Sequence, residues 1–309
     1  MTRYLNEEEV ARLIAPEEAL APIEASFERL ARGVVTNEPR RRFPLPDGTF
    51  AVMSAVDEEL GLAAIKAYTW LPGGTPFVVV IFDLRKAELA GVLEADTLGQ
   101  LRTGAASGVA AKYLARPGAA TLGVIGCGFQ AETQVACIRA AVPTIEHVVA
   151  YCRTRESLEA FCRKSGAEPA RGNAEAADAD IVVTVTTSKD PVLRGEWLRE
   201  GALVCAVGAN DASKRELDNV VIERAAFVCC DSVADATLES GDLIEPVAQG
   251  LLDWQEVHEL QGVVAGTVQG RSSDTDIVVF KSNGIAAWDL AIGAFALRRA
   301  REREVGREL

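Results

Sequence analysis

The segment Thr121-Leu-Gly-Val-Ile-Gly-Cys-Gly-Phe-Gln-Ala131 joins an apolar, strand-like run to Gly126-x-Gly128-x-x-Ala131. A helix-compatible segment follows, and then a second apolar run, His147 to Cys152. Strand, glycine turn, helix and strand in that order are what a dinucleotide site requires. Gly126 permits the tight turn, Gly128 lets backbone approach a pyrophosphate, and Ala131 lets helix and strand pack closely. The phosphates would then meet free N–H groups at the helix start. Gly126, Gly128, Phe129, Gln130 and Ala131 are accordingly read as cofactor-binding residues.

The second strand decides which nucleotide is favoured. An NAD site usually places Asp or Glu at its end, bonded to the ribose hydroxyls. Here the strand ends Cys152-Arg153-Thr154-Arg155. Two guanidinium groups and a hydroxyl suit a 2′-phosphate. The expected cofactor is NADP(H) in preference to NAD(H). Thr184, Thr186 and Ser188 follow a further strand, and their hydroxyls are placed beside the nicotinamide ribose.

Three cations stand in apolar or small-residue surroundings. Arg41 follows Pro39, Lys66 interrupts Leu62-Ala-Ala-Ile-Lys-Ala-Tyr68, and Arg102 opens Arg102-Thr-Gly-Ala-Ala-Ser107. A buried cation is costly unless paired, and an anionic substrate is one available partner. Taken singly, each also fits a plainer role: surface, snorkelling or core ion pair.

These residues need a scaffold. The chain has 309 residues, enough for two domains. Its formal charge of −13 argues against a broad nucleic-acid or anionic-membrane surface. Seven cysteines and no secretory opening suggest a cytoplasmic setting. Two histidines and no C-x-x-C argue against a metal site. Residues 6–32 read as one or two amphipathic helices. Pro39-Arg40-Arg41-Arg42 reads as a basic link, and strands are expected near 50–55, 62–68 and 76–83. A small-residue helix covers 102–115. Strands at 121–126, 147–152, 180–185, 202–207, 226–230 and 277–281 alternate with helices, which predicts a mostly parallel sheet. A long helix lies within 282–303. The fold class is α/β: a Rossmann-type nucleotide domain, 118–289, plus an α+β substrate-binding and dimerisation domain, 1–117 with 290–309. Asp231, Asp235 and Glu239 read as a solvated helix face. His258 is given a plain structural role, and 251–270 is read as a docking surface or lid.

Pro39-x-Arg41, Met53, Lys66, Arg102-Thr-Gly-Ala-Ala-Ser107, the glycine motif, Arg215-Glu-Leu-Asp218 and Phe280-Lys-Ser-x-Gly284 with Asp289 run in one order along nearly the whole chain. The pattern resembles the ornithine cyclodeaminase/mu-crystallin family. The resemblance implies a nicotinamide cofactor, a small carboxylate substrate and a homodimer built through the non-nucleotide domain. It implies Arg41, Lys66 and Arg102 around the substrate carboxylate, and Ser282 and Gly284 beside the nicotinamide. Thr103 joins the cofactor-binding set. Cyclodeaminases carry an Asp that acts on the substrate amine; this chain has Asn210 there, and an amide takes no proton as a carboxylate does. Ala51 replaces a second acidic residue of that subgroup. The expected activity is therefore NAD(P)H-dependent reduction of a cyclic ketimine carboxylate, with Asn210 bonding ribose or substrate. The alternatives are an amino-acid dehydrogenase, an ornithine cyclodeaminase, and a non-catalytic ligand-binding protein like mu-crystallin.

Overall fold

A computed structural model describes residues 2–309. In chain order the first elements are β1 (Arg3–Leu5), α1 (Glu7–Leu13), α2 (Leu20–Ala31), β2 (Val35–Leu45), β3 (Gly48–Asp57), β4 (Leu62–Trp70), β5 (Phe77–Asp83), β6 (Glu88–Glu94) and α3 (Asp96–Leu114). Next come β7 (Thr121–Ile125), α4 (Ala131–Ala141), β8 (His147–Tyr151), α5 (Arg155–Ser165), β9 (Glu168–Pro169), α6 (Asn173–Ala177), β10 (Ile181–Thr184) and β11 (Leu203–Ala206). The chain continues through α7 (Asn219–Arg224), β12 (Ala225–Cys230), α8 (Val233–Glu239), α9 (Gly241–Ala248), β13 (Val257–Glu259), α10 (Leu260–Val264) and β14 (Ile277–Lys281). It ends with α11 (Ala286–Glu302) and β15 (Arg307–Glu308).

Two compact units result: one ends at Arg102 and includes Ile285–Leu309, the other is Thr103–Gly284. The division falls inside α3 rather than at 117, and at 284/285 rather than 289. The helix runs on without a break. Its later part is tied to the second unit, where Gly104 sits against Thr133 and Arg271 donates to the Leu114 carbonyl.

The first unit holds a seven-stranded sheet in the order β15-β1-β6-β5-β4-β3-β2, antiparallel except where β1 lies beside β6. Side chains alternate across it, and Met53, Lys66 and Val79 stand side by side on one face. That face is covered by α11, which also packs on α2, with Phe27 edge-on to Trp288. Gly293 brings α11 close to β5, since a Cβ there would lie 2.6 Å from Ile81. The opposite face exposes Val56, Ile65 and Phe82. The expected basic link at 39–42 is part of β2. Pro39 is accommodated because β2 is the edge strand and its register shifts between Glu38 and Arg41.

The second unit holds an eight-stranded sheet, parallel throughout, in the order β13-β12-β14-β11-β10-β7-β8-β9. Its strands are near-continuous apolar runs because helices and loops cover both faces. From β7 the chain winds outward through β8 and β9, then returns to β10 on the other side of β7. The switch point therefore lies at the carboxyl ends of β7 and β10, where such folds bind ligands. No described helix is long and apolar enough to cross a membrane.

Candidate active site

Lys66 lies mid-strand in β4, and its side chain passes under the first turn of α11. Its ammonium is almost wholly buried and donates to Asp289 Oδ1 at 2.8 Å. Arg102 Nε stands 3.4 Å from the same oxygen, with its guanidinium 6.0 Å from the Trp288 ring centroid. Two buried cations thus share one carboxylate, whose Oδ2 has no hydrogen-bond partner among the described residues. Gly99 leaves room for the ammonium, since a Cβ there would sit 3.3 Å from Lys66 Nζ. Burial lowers the Lys66 pKa to about 8; Asp289 opposes that fall, while Arg102 and Arg40 add to it.

The structure corrects one member of the trio. Arg41 is exposed, with its guanidinium 5.5 Å from the Phe43 ring centroid on the outer side of β2. Arg40 is the buried neighbour. Its Nε approaches Met53 Sδ at 3.3 Å, on the face that carries Lys66. Alternation along a strand sends adjacent residues to opposite faces, and the bulge sets which arginine turns inward.

In the second unit the glycine turn follows β7. Gly126 has φ +113°, and a Cβ on it would lie 2.4 Å from the Val185 carbonyl oxygen. Only glycine accepts both conditions. A Cβ on Gly128 would meet nothing within 4 Å, so its side faces open space. Ala131 is fully buried as the first residue of α4, and α4 starts without a side-chain cap on its N–H groups. Phe129 is exposed, and Gln130 Oε1 is buried without a hydrogen-bond partner among the described residues. Open space over a glycine and uncapped helix N–H groups fit a dinucleotide pyrophosphate. Arg153, Thr154 and Arg155 are all exposed beyond β8. Arg155 pairs with Glu159 one turn along α5 at 2.8 Å.

The hydroxyls expected to line the ribose are engaged elsewhere. Thr184 Oγ1, fully buried, donates to Glu216 Oε2 at 3.0 Å. Thr186 gives both its N–H and its hydroxyl to Glu216 Oε1, at 2.6 and 2.8 Å, and the Ser188 hydroxyl donates to the Asp190 carbonyl. A fully buried carboxylate gathers nearby donors, and sequence reading did not assign Glu216. Its one visible signal was the Arg215-Glu-Leu-Asp218 match. Asn210 is half-buried in the loop after β11. Thr103 follows Arg102 in α3 and is buried.

Asp231, Asp235 and Glu239 do not form a solvated face; all three are buried. Asp231 Oδ2 accepts from the Ser282 hydroxyl at 3.2 Å and from the N–H groups of Asn283 and Gly284 at 2.7 and 2.6 Å. It thereby holds the Ser282–Gly284 turn, where Gly284 has φ +83°. Burial raises the Asp231 pKa to about 6, and the two N–H donors work against that rise. His258 stacks on Phe227 at 5.0 Å in the strand pair β12–β13.

Comparisons with known proteins agree on one lineage. The model of the ornithine cyclodeaminase/mu-crystallin family matches residues 2–304. Alanine dehydrogenase of Archaeoglobus fulgidus is 33% identical over 323 residues, covering 100% of this chain and 98% of that protein. A Delta(1)-pyrroline-2-carboxylate reductase of Bacillus cereus is 35% identical over 306 residues, covering 94% of this chain and 93% of that protein. The solved Thermococcus litoralis Delta(1)-pyrroline-2-carboxylate reductase, in complex with NADH and L-proline, superposes with a TM-score of 0.94 at 29% identity, covering 100% of both chains.

Proposed function

This chain belongs to the ornithine cyclodeaminase/mu-crystallin family, and from that membership we propose that it reduces a small cyclic ketimine carboxylate with NAD(P)H. Pyrroline-2-carboxylate and piperideine-2-carboxylate are the substrate class, and the cyclic L-amino acid is the product. The chain has the fold of an NAD(P)H-binding oxidoreductase acting on C–N bonds of imino and amino acids. The observation that carries the finer reading is the pairing of two buried cations, Lys66 and Arg102, with the single carboxylate of Asp289.

The second unit, Thr103–Gly284, is assigned to the nucleotide. Gly126 to Ala131 hold the pyrophosphate, and Ser282 and Gly284 stand by the nicotinamide. When bound, the reduced nicotinamide supplies a hydride to the imine carbon. The first unit is assigned to substrate. Arg102 and Lys66 hold the carboxylate by charge-assisted hydrogen bonds, with Arg40 adding positive charge on the same face. Asp289 keeps the two cations directed. A protonated imine is a strong electrophile, so these residues mainly align it. Lys66 keeps a proton on Nζ at neutral pH and is the candidate donor to nitrogen. Asn210 offers an amide where a cyclodeaminase cycle needs a carboxylate, which disfavours that activity.

A second reading, an amino-acid dehydrogenase acting on a 2-oxo acid with ammonia or an amine, is favoured by the likeness to an alanine dehydrogenase. Substrate profiling separates them. Oxidation of NADPH with pyrroline-2-carboxylate supports the first reading; oxidation only with pyruvate and ammonia replaces it with the second. The homodimer is proposed through the first unit's open sheet face, where Val56, Ile65 and Phe82 leave apolar area facing water.

The charges set two expectations. Lys66 is protonated below its pKa of about 8, and an anionic substrate needs that cation. We expect kcat/KM to hold level below pH 8 and to fall about tenfold per pH unit above it. A pH series on Lys66→Met, whose residual rate should lack this limb, checks the assignment. NADP(H) is the proposed preference, resting on Arg153. Arg153→Ala should raise the Kd for NADPH about tenfold and leave that for NADH within about twofold. Equal loss for both nucleotides would assign Arg153 no part in reading the 2′-phosphate.

A further inference from the structure

The loops after β10 and β11 meet on one buried carboxylate. Glu216 Oε1 accepts from the Thr186 N–H and hydroxyl; Oε2 accepts from the Thr184 hydroxyl and from the N–H groups of Gly208 and Ala209, at 2.7 and 3.2 Å. Five donors thus converge on Glu216, which is fully buried. The support continues beneath it. Asp242 Oδ1 accepts from the N–H groups of Glu216 and Leu217 at 2.7 and 2.9 Å, and its Oδ2 pairs with Lys281 Nζ at 3.0 Å. Lys281 Nζ also donates to the Ala209 carbonyl. The stretch Gly208–Ala209, immediately before Asn210, is therefore held by its N–H groups from Glu216 and by a carbonyl from Lys281.

The two loops also touch directly. A Cβ on Gly208 would lie 2.3 Å from the Thr186 nitrogen and 2.4 Å from Glu216 Oε1. The neighbouring Val185 carbonyl is the group that forbids a Cβ on Gly126. Glycine turn, β10 loop and β11 loop are in backbone contact at the switch point of the sheet. Burying two carboxylates and an ammonium brings little net stability, because desolvation offsets most of the attraction. Convergence of five directed hydrogen bonds does set geometry, to within the tolerance of a hydrogen bond.

We infer that Glu216, supported by Asp242 and Lys281, is the positioning residue that fixes the β10 and β11 loops against the glycine turn and so places Asn210. This rests on the proposed assignment of that turn to a nucleotide and of Asn210 to the reaction. Glu216→Gln keeps the size, but one of its two ends becomes a donor facing donors. Amide hydrogen exchange on the ligand-free protein reads the loops without reference to any activity. The amides of Thr186, Gly208 and Ala209 should exchange at least tenfold faster in the variant, with amides of β7 and β14 unchanged. The NADH Kd, measured by nucleotide fluorescence, should rise about tenfold. With the imine substrate, kcat should fall about a hundredfold while its KM stays within about threefold.

Should Glu216→Gln not fold, Asp242→Asn serves instead. It keeps the acceptor for the Glu216 and Leu217 N–H groups but removes the charge facing Lys281, and faster exchange at Ala209 is expected. Unchanged exchange at these three amides together with an unchanged NADH Kd would overturn the inference, even if the melting temperature drops. If exchange quickens while the wild-type protein neither binds NADH nor reduces imines, the positioning stands and the functional reading falls.

Discussion

Lys66→Met is expected to lower kcat/KM for the ketimine carboxylate by about 10²–10³. Removing one side of a buried charged contact costs about 2–5 kcal/mol in recognition of the partner. Met retains most of the aliphatic stem, so the loss reports the ammonium rather than the packing. The substitution also leaves Asp289 facing Arg102, 3.4 Å away, without its ammonium partner. A buried carboxylate stripped of its main partner costs about 3–5 kcal/mol of stability. Lys66→Met alone therefore confounds folding with turnover. The double variant Lys66→Met/Asp289→Asn removes both charges, and it should recover most of the lost melting temperature while remaining as inactive as the single variant. Thermal unfolding and steady-state kinetics on the three proteins make the test. Near-wild-type kcat/KM in the double variant would show that neither charge handles substrate.

The second large effect separates two glycines that a motif treats alike. Gly128→Val should fold as well as the wild type, with a melting temperature within about 2 °C, because its Cβ points into open space. It should nevertheless weaken NADH binding at least about a hundredfold, roughly 2.7 kcal/mol, by filling the ground a pyrophosphate would take. Gly126→Ala should do the reverse. Its methyl would lie 2.4 Å from the Val185 carbonyl oxygen on a backbone with φ +113°. Such strain costs about 1–3 kcal/mol before the clash is counted, so the melting temperature should fall by several degrees. Calorimetry and nucleotide titration on both variants decide it. If Gly128→Val binds NADH normally, the turn does not cradle a nucleotide.

The second unit's architecture was readable from residue order. Apolar runs separated by helix-length segments placed the strands at Thr121–Ile125, Ile181–Thr184 and Ile277–Lys281 to within a residue or so. A strand buried on both faces must be apolar throughout, and that pattern survives without neighbours. The first unit was less legible. Its edge strand β2 carries Glu38 to Arg42, so charge and proline hid it as a link. Pairing on only one side lets an edge strand stay polar.

Local sequence determined the glycine turn, because the need for φ > 0 and close backbone approach is written in residue type. It also marked Lys66 as one ammonium in an apolar strand, while its burial against Asp289 came only with α11 packed on that face. Tertiary structure alone decided which arginine joins it: a bulge of the β2 register turns Arg40 inward and leaves Arg41 outside. It alone decided that Asp231, Asp235 and Glu239 lie buried, and that the Thr184 and Thr186 hydroxyls serve Glu216. Those outcomes depend on what approaches from distant parts of the chain, such as Ser282 to Gly284 against Asp231 and Gly208 against Thr186. A carboxylate's surroundings are set by the donors that folding delivers to it, and no spacing along the chain encodes them.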